Sequence, residues 1–72
     1  MKLVKINNHI FEYDGRNYNY KSKEVMYLNI DYIVEIKESN ITYPSKLYEV
    51  ILRNGSKLRI SKEELNAIVN NN

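Results

Sequence analysis

The stretch that decides the fold runs from residue 47 to residue 65 and reads LYEVILRNGSKLRISKEEL. Its two apolar-rich runs, at residues 47–53 and 56–60, flank the dipeptide Asn54-Gly55. Asn-Gly between such runs is typical of a two-residue type I′ turn, because both central positions of that turn need a positive φ angle. The stretch therefore predicts a β-hairpin. The expected register places Leu47, Glu49, Ile51, Leu58 and Ile60 on one face and Tyr48, Val50, Leu52, Lys57 and Arg59 on the other.

A capped helix follows the hairpin directly. Ser61 and Glu64 form a capping-box pattern, in which the serine hydroxyl accepts from the Glu64 backbone and the glutamate reaches back to the Ser61 backbone. The predicted helix covers about residues 62–70 and packs on the sheet, since so short a helix does not persist alone. We expect the asparagines at 70–72 to form a disordered tail. The apolar stripe of the helix is Leu65, Ile68 and Val69.

The first half of the chain has its own hairpin signal at Asp14-Gly15. A two-residue type I′ turn there would pair Tyr13 with Arg16 and Phe11 with Tyr18. The other segments are assigned from their apolar content and their turn residues. They are a strand at residues 3–6 that ends at Asn7-Asn8, a polar connection at 21–24, a strand at 25–28, a turn at 29–32, a strand at 33–37 and a loop at 38–45.

Together these segments predict a mainly β, α+β fold in a single domain that spans residues 1–72. We expect a small bent antiparallel sheet or an open barrel of about five to six strands, with the helix covering one face or one end. A chain of this length has no room for a second core.

The composition argues against two features that commonly stabilise a small domain, a disulfide and a structural zinc site. The chain has no Cys and one His, so a disulfide is excluded and a structural zinc site is not expected. A domain of this size buries only about 60% of the surface that its unfolded chain exposes. Self-association is the remaining way to stabilise a fold of this size, and we expect a homo-oligomer.

The sequence contains no catalytic or cofactor signature. Its two glycines, Gly15 and Gly55, are both used by the predicted turns, so neither a P-loop nor a dinucleotide fingerprint can form. We therefore expect a non-enzymatic protein with no cofactor and no metal site. No apolar run resembles a signal-peptide core or approaches the roughly 18 residues of a membrane span. We expect a cytoplasmic protein that does not contact a membrane.

The first hairpin concentrates aromatic residues on one face. On the expected register that face contains His9, Phe11, Tyr13, Arg16, Tyr18 and Tyr20. Aromatic rings beside an arginine are typical of surfaces that stack nucleobases, and the cations of the second hairpin are suited to phosphate. The rings could instead form a core or a subunit interface, and the cations could be solvated ends of the sheet. The candidate ligand-binding residues are Tyr13, Arg16, Tyr18, Tyr20, Lys57 and Arg59.

Two hypotheses on function remain open. The first is an accessory or phage-type factor that sequesters a nucleotide-like ligand as a homo-oligomer, which the seven Tyr and the basic ends (residues 1–23 and 53–72) favour. The second is a regulator or inhibitor that binds a larger protein through an exposed sheet face or edge. Nucleic-acid binding is a weaker alternative, because a net charge of +2 gives little attraction to a phosphate backbone.

Overall fold

The structure, a computed structural model, describes residues 2–71 and has a mainly β fold with one short helix at the C-terminal end. The elements are β1 (Leu3–Tyr13), β2 (Tyr18–Asn29), a 3-10 helix (Ile30–Tyr32), β3 (Ile33–Thr42), β4 (Lys46–Leu52), β5 (Lys57–Ile60) and α1 (Lys62–Asn70). The strands form two antiparallel sheets, with the orders β1-β2 and β3-β4-β5, and these do not close into a barrel. The predicted fold class is confirmed.

Three strands are longer than the sequence predicts. Asn7 and Asn8 were expected to form a turn, but they belong to β1 and pair with β2. The polar residues 21–24 were expected to form a connection, but they belong to β2. Both expectations are wrong, because pairing along the whole hairpin satisfies the backbone groups of these polar residues and overrides their low strand propensity. Similarly, β3 continues to Thr42, well into the loop expected at 38–45.

The first hairpin closes further along the chain than expected. Tyr13 pairs with Tyr18 rather than with Arg16, so the turn comprises residues 14–17. Gly15 has a φ angle of 98°, and no described non-glycine residue has a positive φ angle. A type I′ turn needs two such residues, so that prediction is wrong. The partner of Tyr13 moves by two positions, and because side chains alternate with a period of two, the aromatic residues still share one face.

The second hairpin closes through three residues, 53–55, rather than two. The N–H of Leu52 donates to the carbonyl of Ser56 at 2.9 Å, and Gly55 has a φ angle of 88°. This is a three-residue loop with a left-handed glycine, so the predicted type I′ turn is wrong here too. Each residue of β5 therefore pairs with a β4 residue one position away from the predicted one, so the side chains of β5 lie on the opposite faces of the hairpin from those predicted. One face contains Tyr48, Val50, Leu52, Leu58 and Ile60, and the other contains Leu47, Glu49, Ile51, Lys57 and Arg59.

The main core receives buried residues from both sheets, the 3-10 helix and α1. Val50 and Ile60 are each 0% exposed and lie on the same face of the second hairpin. That face is therefore the one against which the first hairpin and α1 pack, and each such side chain stabilises the fold by about 1.5–3 kcal/mol. The buried residues of this cluster are Val4, Ile6, Leu28, Ile30, Val50, Leu58, Ile60 and Ile68.

The opposite face of the three-stranded sheet is also covered near the start of β4. Leu47 lies on the same face as Glu49 and is only 1% exposed. Arg59 also lies on this face, and its guanidinium contacts the ring of Tyr18 in the first hairpin. The long first hairpin thus packs on the main core near its base and reaches the second face of the other sheet near its tip.

Side-chain hydrogen bonds hold β1 against β5 and against α1. Asn8 Oδ1 accepts from the backbone N–H of Arg59 in β5 at 2.9 Å, and the backbone N–H of Asn7 donates to Oε2 of Glu64 in α1. Glu64 Oε1 accepts from both the backbone N–H and the hydroxyl of Ser61, each at 2.9 Å. The capping box and the contact of α1 with β1 therefore share one carboxylate. We call Asn7, Asn8, Arg59 and Glu64 the seam.

The capping box at the start of α1 is confirmed, since the Ser61 hydroxyl accepts from the Glu64 backbone at 3.3 Å. Leu65 packs beside the buried Ile68, as expected. Val69, expected in the same apolar stripe, is 55% exposed. That expectation is wrong because successive helical residues are rotated by about 100°, which turns Val69 away from the core that Ile68 enters.

The C-terminal asparagines lie at the end of α1 and beyond it. Asn70 is the last helical residue. Asn71 caps the helix, and its side-chain amide donates to the carbonyl of Ala67 at 2.7 Å. Asn72, the last residue of the expected tail, lies outside the described residues.

Replacing Glu64 by alanine removes the acceptor that the cap and the seam share. We expect Glu64→Ala to lower the free energy of unfolding by about 1–3 kcal/mol, because it removes the cap and leaves the Asn7 N–H without its partner. Glu63, an exposed acid in the same helical turn, provides the matched control, and Glu63→Ala should change the value by less than about 0.5 kcal/mol. Urea denaturation followed by circular dichroism measures both. Equal losses would contradict the role of the seam.

Candidate functional site

A group of aromatic side chains lies on the distal half of the first hairpin and on the loop after β3. Phe11 and Tyr20 are half-buried, whereas Tyr13, Tyr18 and Tyr43 are 60%, 51% and 46% exposed. Four of these residues share a face, because Tyr13 pairs with Tyr18 and Phe11 pairs with Tyr20. Exposed rings grouped in this way are typical of a binding surface. We call these five residues the aromatic surface.

The rings of the aromatic surface are in direct contact with one another. The ring centroids of Tyr13 and Tyr18 are 4.9 Å apart, and those of Phe11 and Tyr20 are 5.5 Å apart in an edge-to-face arrangement. Tyr43, in the loop after β3, stacks on Tyr20, with ring centroids 4.4 Å apart and an angle of 4° between the ring planes. Such contacts orient the rings. Tyr43 itself remains 46% exposed.

The loop that presents Tyr43 is tied at its base. The Tyr43 N–H donates to the carbonyl of Ser45 at 2.7 Å, and Lys46 Nζ donates to Glu38 Oε1 at 2.6 Å. The hydrogen bond from Lys46 lowers the pKa of the Glu38 carboxyl, and the same bond raises the pKa of the Lys46 ammonium. Tyr43 therefore reaches the other four rings from a short loop that two local hydrogen bonds hold in place.

Arg59 places a positive charge against the aromatic surface. Its guanidinium carbon lies 5.7 Å from the ring centroid of Tyr18, within the roughly 6 Å reach of a cation–π interaction. Its Nη2 atom is 3.7 Å from Glu49 Oε2, which is longer than a direct hydrogen bond. Asn8 fixes its backbone through the seam. The charge is thus well positioned but only loosely paired.

Two nitrogen atoms beside these rings are buried and have no hydrogen-bond partner among the described residues. They are Nδ1 of His9 and Nε of Arg59. The His9 ring centroid lies 6.1 Å from that of Tyr20, so both atoms lie next to the aromatic surface. A buried polar atom without a partner costs about 1–3 kcal/mol. A rearrangement that offered either atom a ligand oxygen would recover part of this cost.

The structure brings together four of the six residues predicted for the site. Tyr13, Tyr18 and Tyr20 belong to the aromatic surface, and Arg59 lies against it. Arg16 does not join them: it lies in the exposed turn beyond the Tyr13–Tyr18 pair, because the hairpin closes later than predicted. Lys57 is exposed on the same face of β5 as Arg59.

Sequence reasoning misses two residues of this arrangement. Tyr43 falls in the predicted long loop, where neither alternation nor a turn signal fixes the direction of a side chain, so no sequence signal could have found it. Glu49 is the cross-strand partner of Arg59, yet the predicted register separates the two. The signal for Glu49 is present, because Arg53-Asn54-Gly55 also fits a three-residue loop, and that loop places the pair together.

A carboxylate holds the tip of the first hairpin. Asp14 Oδ1 accepts from the backbone N–H groups of Arg16 and Asn17, each at 2.8 Å, and Oδ2 accepts from Asn19 Nδ2 at 2.9 Å. These bonds lower the pKa of Asp14 to about 2, with the bond from Asn17 contributing most. The ionised carboxylate therefore orders the turn that adjoins Tyr13 and Tyr18.

Two further features concern residues 2–71 as a whole. No helix in this range combines the length and the apolar character that crossing a membrane requires. Within the same range, no group of three or more His, Asp or Glu side chains is arranged to hold a metal ion.

Comparison with known proteins does not assign the chain to a group. No protein-family model, no curated protein and no solved structure matches it.

The Asp14 carboxylate should make the hairpin tip sensitive to acid. Its folded pKa, about 2, is below the unfolded value of about 4. The stabilisation is therefore fully present above about pH 4 and is lost as the pH falls towards about 2. An NMR titration of the Asp14 carboxyl carbon should give this low pKa. Asp14→Asn keeps an acceptor oxygen and should remove the pH dependence of the neighbouring amide shifts. An ordinary carboxyl pKa at Asp14 would contradict the hydrogen-bonded turn.

Proposed function

We propose that this protein is a non-enzymatic cytoplasmic binding protein that holds a nucleotide-like ligand on its aromatic surface, as a homo-oligomer. The observation that supports this most directly is the exposed ring of Tyr18 with the guanidinium of Arg59 beside it. A nucleotide combines a flat aromatic base with a negative charge, and this pair offers a partner to each.

The base would stack on the exposed rings. Tyr13 and Tyr18 are each more than half exposed and already lie side by side. Tyr43 offers the end of a preformed stack on Tyr20. Stacking of one base on an aromatic side chain contributes about 1–3 kcal/mol, as judged by alanine substitution. The rings are held in place before a ligand arrives, so little ordering cost accompanies binding.

The phosphate would lie near the two cations of β5. Arg59 is the better placed, because its contact with Glu49 is long and its Nε atom has no partner among the described residues. Lys57 is exposed on the same strand face. A phosphate with several acceptor oxygens would compete with Glu49 for the guanidinium, since charge-assisted hydrogen bonds are the stronger kind.

Self-association would complete a domain with few buried residues. The face of the first hairpin that points away from the main core exposes Leu3, Val25 and Tyr27, at 54%, 54% and 67%. Burying this face against a second copy would remove apolar surface from water.

The same exposed face is the specific observation that favours the second candidate function, a regulator or inhibitor that binds a larger protein. In that case a different protein would cover Leu3, Val25 and Tyr27. Binding of single-stranded nucleic acid is a third, weaker candidate, because it would use the same base-stacking rings.

Calorimetry with linear and cyclic nucleotides tests the ligand. We expect one nucleotide class to bind with measurable heat, and Tyr18→Ala to weaken that binding by about five- to 150-fold, the equivalent of one stacked base. Tyr32→Ala is the matched control, because Tyr32 is 54% exposed, close to the 51% of Tyr18, and lies outside both the aromatic surface and the exposed face of the first hairpin.

The outcomes of this experiment separate the candidates. Binding that Tyr18→Ala and Tyr32→Ala weaken equally would exclude the aromatic surface as the site. An absence of heat with every nucleotide, but binding of a short single-stranded oligonucleotide that weakens steeply with salt, would favour the nucleic-acid candidate. An absence of heat with all of these ligands would overturn the proposal.

Native mass spectrometry tests the oligomer. We expect masses at multiples of 8.6 kDa, and we expect Val25→Glu to yield the monomer, because a charge on the exposed hairpin face opposes its burial. The substitution should leave the fold intact, since Val25 is 54% exposed. A bare wild-type monomer that co-purifies with a larger protein would support the regulator instead.

A further inference from the structure

A cavity of about 220 Å³ lies between the 3-10 helix and the turn that joins β4 to β5, and Tyr32, Leu52, Arg53 and Asn54 line it. None of these residues belongs to the aromatic surface or to the seam. Cavities for drug-sized ligands have volumes of about 300–1,000 Å³. This one is smaller and partly open to solvent, which suits an occupant that places about one ring and one polar group in it.

The cavity has an aromatic wall and a cation placed over it. Tyr32 is 54% exposed, and the guanidinium carbon of Arg53 lies 5.7 Å from its ring centroid. The Arg53 N–H donates to the Tyr32 carbonyl at 3.0 Å, so the backbone fixes the two residues relative to each other. Leu52 is half-buried and provides an apolar surface beside them.

Hydrogen-bond donors predominate among the polar groups of this cavity. Each salt bridge of the described residues uses Lys21, Lys46 or Arg59, so no carboxylate engages Arg53. Asn54 Oδ1 accepts from the backbone N–H of Ser56 at 2.9 Å. The Asn54 side-chain amide nitrogen, a donor, is not used by this bond. The matching ligand group is an anion that accepts hydrogen bonds.

We propose that this cavity binds a small flat carboxylate, with the carboxylate paired to Arg53 and the attached ring against Tyr32 and Leu52. The planar guanidinium presents two parallel donors that match the two oxygens of a carboxylate. A free aromatic acid and the aromatic C-terminal residue of a peptide share this chemistry. Because the cavity and the aromatic surface have no residue in common, the nucleotide proposal and this one fail independently.

Two-dimensional NMR of the full chain tests the proposal with benzoate and with N-acetylphenylalanine, each against its uncharged amide. We expect saturable shifts of the backbone amides of Arg53 and Asn54, and an affinity for the acid that exceeds that for the amide by about tenfold or more. Arg53→Gln should remove most of this preference. Tyr32→Leu should weaken both acid and amide, because the ring loses its partner.

Arg16→Gln is the matched control, because Arg16, like Arg53, is an exposed arginine in a hairpin turn that contains a glycine, and it should leave the shifts unchanged. A higher affinity for benzoate would identify a free acid as the source, and a higher affinity for N-acetylphenylalanine would identify a peptide C-terminus. Equal binding of acid and amide would overturn the proposal. It would also be overturned if neither acid produced saturable shifts, or if Arg53→Gln and Arg16→Gln had equal effects.

Discussion

The structure depends on a few side-chain hydrogen bonds that hold the two-stranded ribbon of β1 and β2 against β5 and α1. Asn8 of β1 accepts from the backbone of Arg59 in β5, and Glu64 of α1 accepts from the backbone of Asn7 in β1. A two-stranded ribbon is marginal by itself in water. These bonds fix the ribbon against the larger sheet and thereby bring Val4 and Ile6 into the same core as Val50 and Ile60.

The seam also connects the core to the candidate site. Arg59 uses its backbone to hold the first hairpin and its side chain to meet Tyr18. The same residue therefore sets both the position of the aromatic surface and the charge beside it. A change in the packing of the two sheets would move the guanidinium relative to the rings, so that stability and the proposed ligand binding would be coupled at this residue.

The sequence predicts the elements of this fold better than it predicts their register. Local chemistry fixes both hairpins and the helix cap, because Asp14-Gly15, Asn54-Gly55 and Ser61 with Glu64 act over a few residues. The number of residues in each turn is not fixed locally. A shift of two positions at the first turn leaves the aromatic face intact, whereas a shift of one position at the second exchanges its faces.

The candidate site shows the same limit. Tyr13, Tyr18 and Tyr20 of the first hairpin could be grouped from the alternation of side chains alone. Tyr43 and Glu49 could not be, because their contacts arise from the packing of one sheet on the other and from the register of the second hairpin. The predicted turn at Asn7-Asn8 fails for a related reason: the strand continues through both residues, and the seam uses one backbone N–H and one side-chain oxygen from them.

Gly15 and Gly55 show where the handedness of the amino acids matters. Both have positive φ angles, and a methyl group added to either in the L configuration would meet no atom within 4 Å. A larger L residue is therefore disfavoured at these positions because it avoids positive φ angles, and not because neighbouring atoms leave no room for it. A mirror-image residue prefers the conformation that these turns adopt. In a chemically synthesised chain, D-alanine at these two positions would keep the turns and reduce the freedom of the unfolded state.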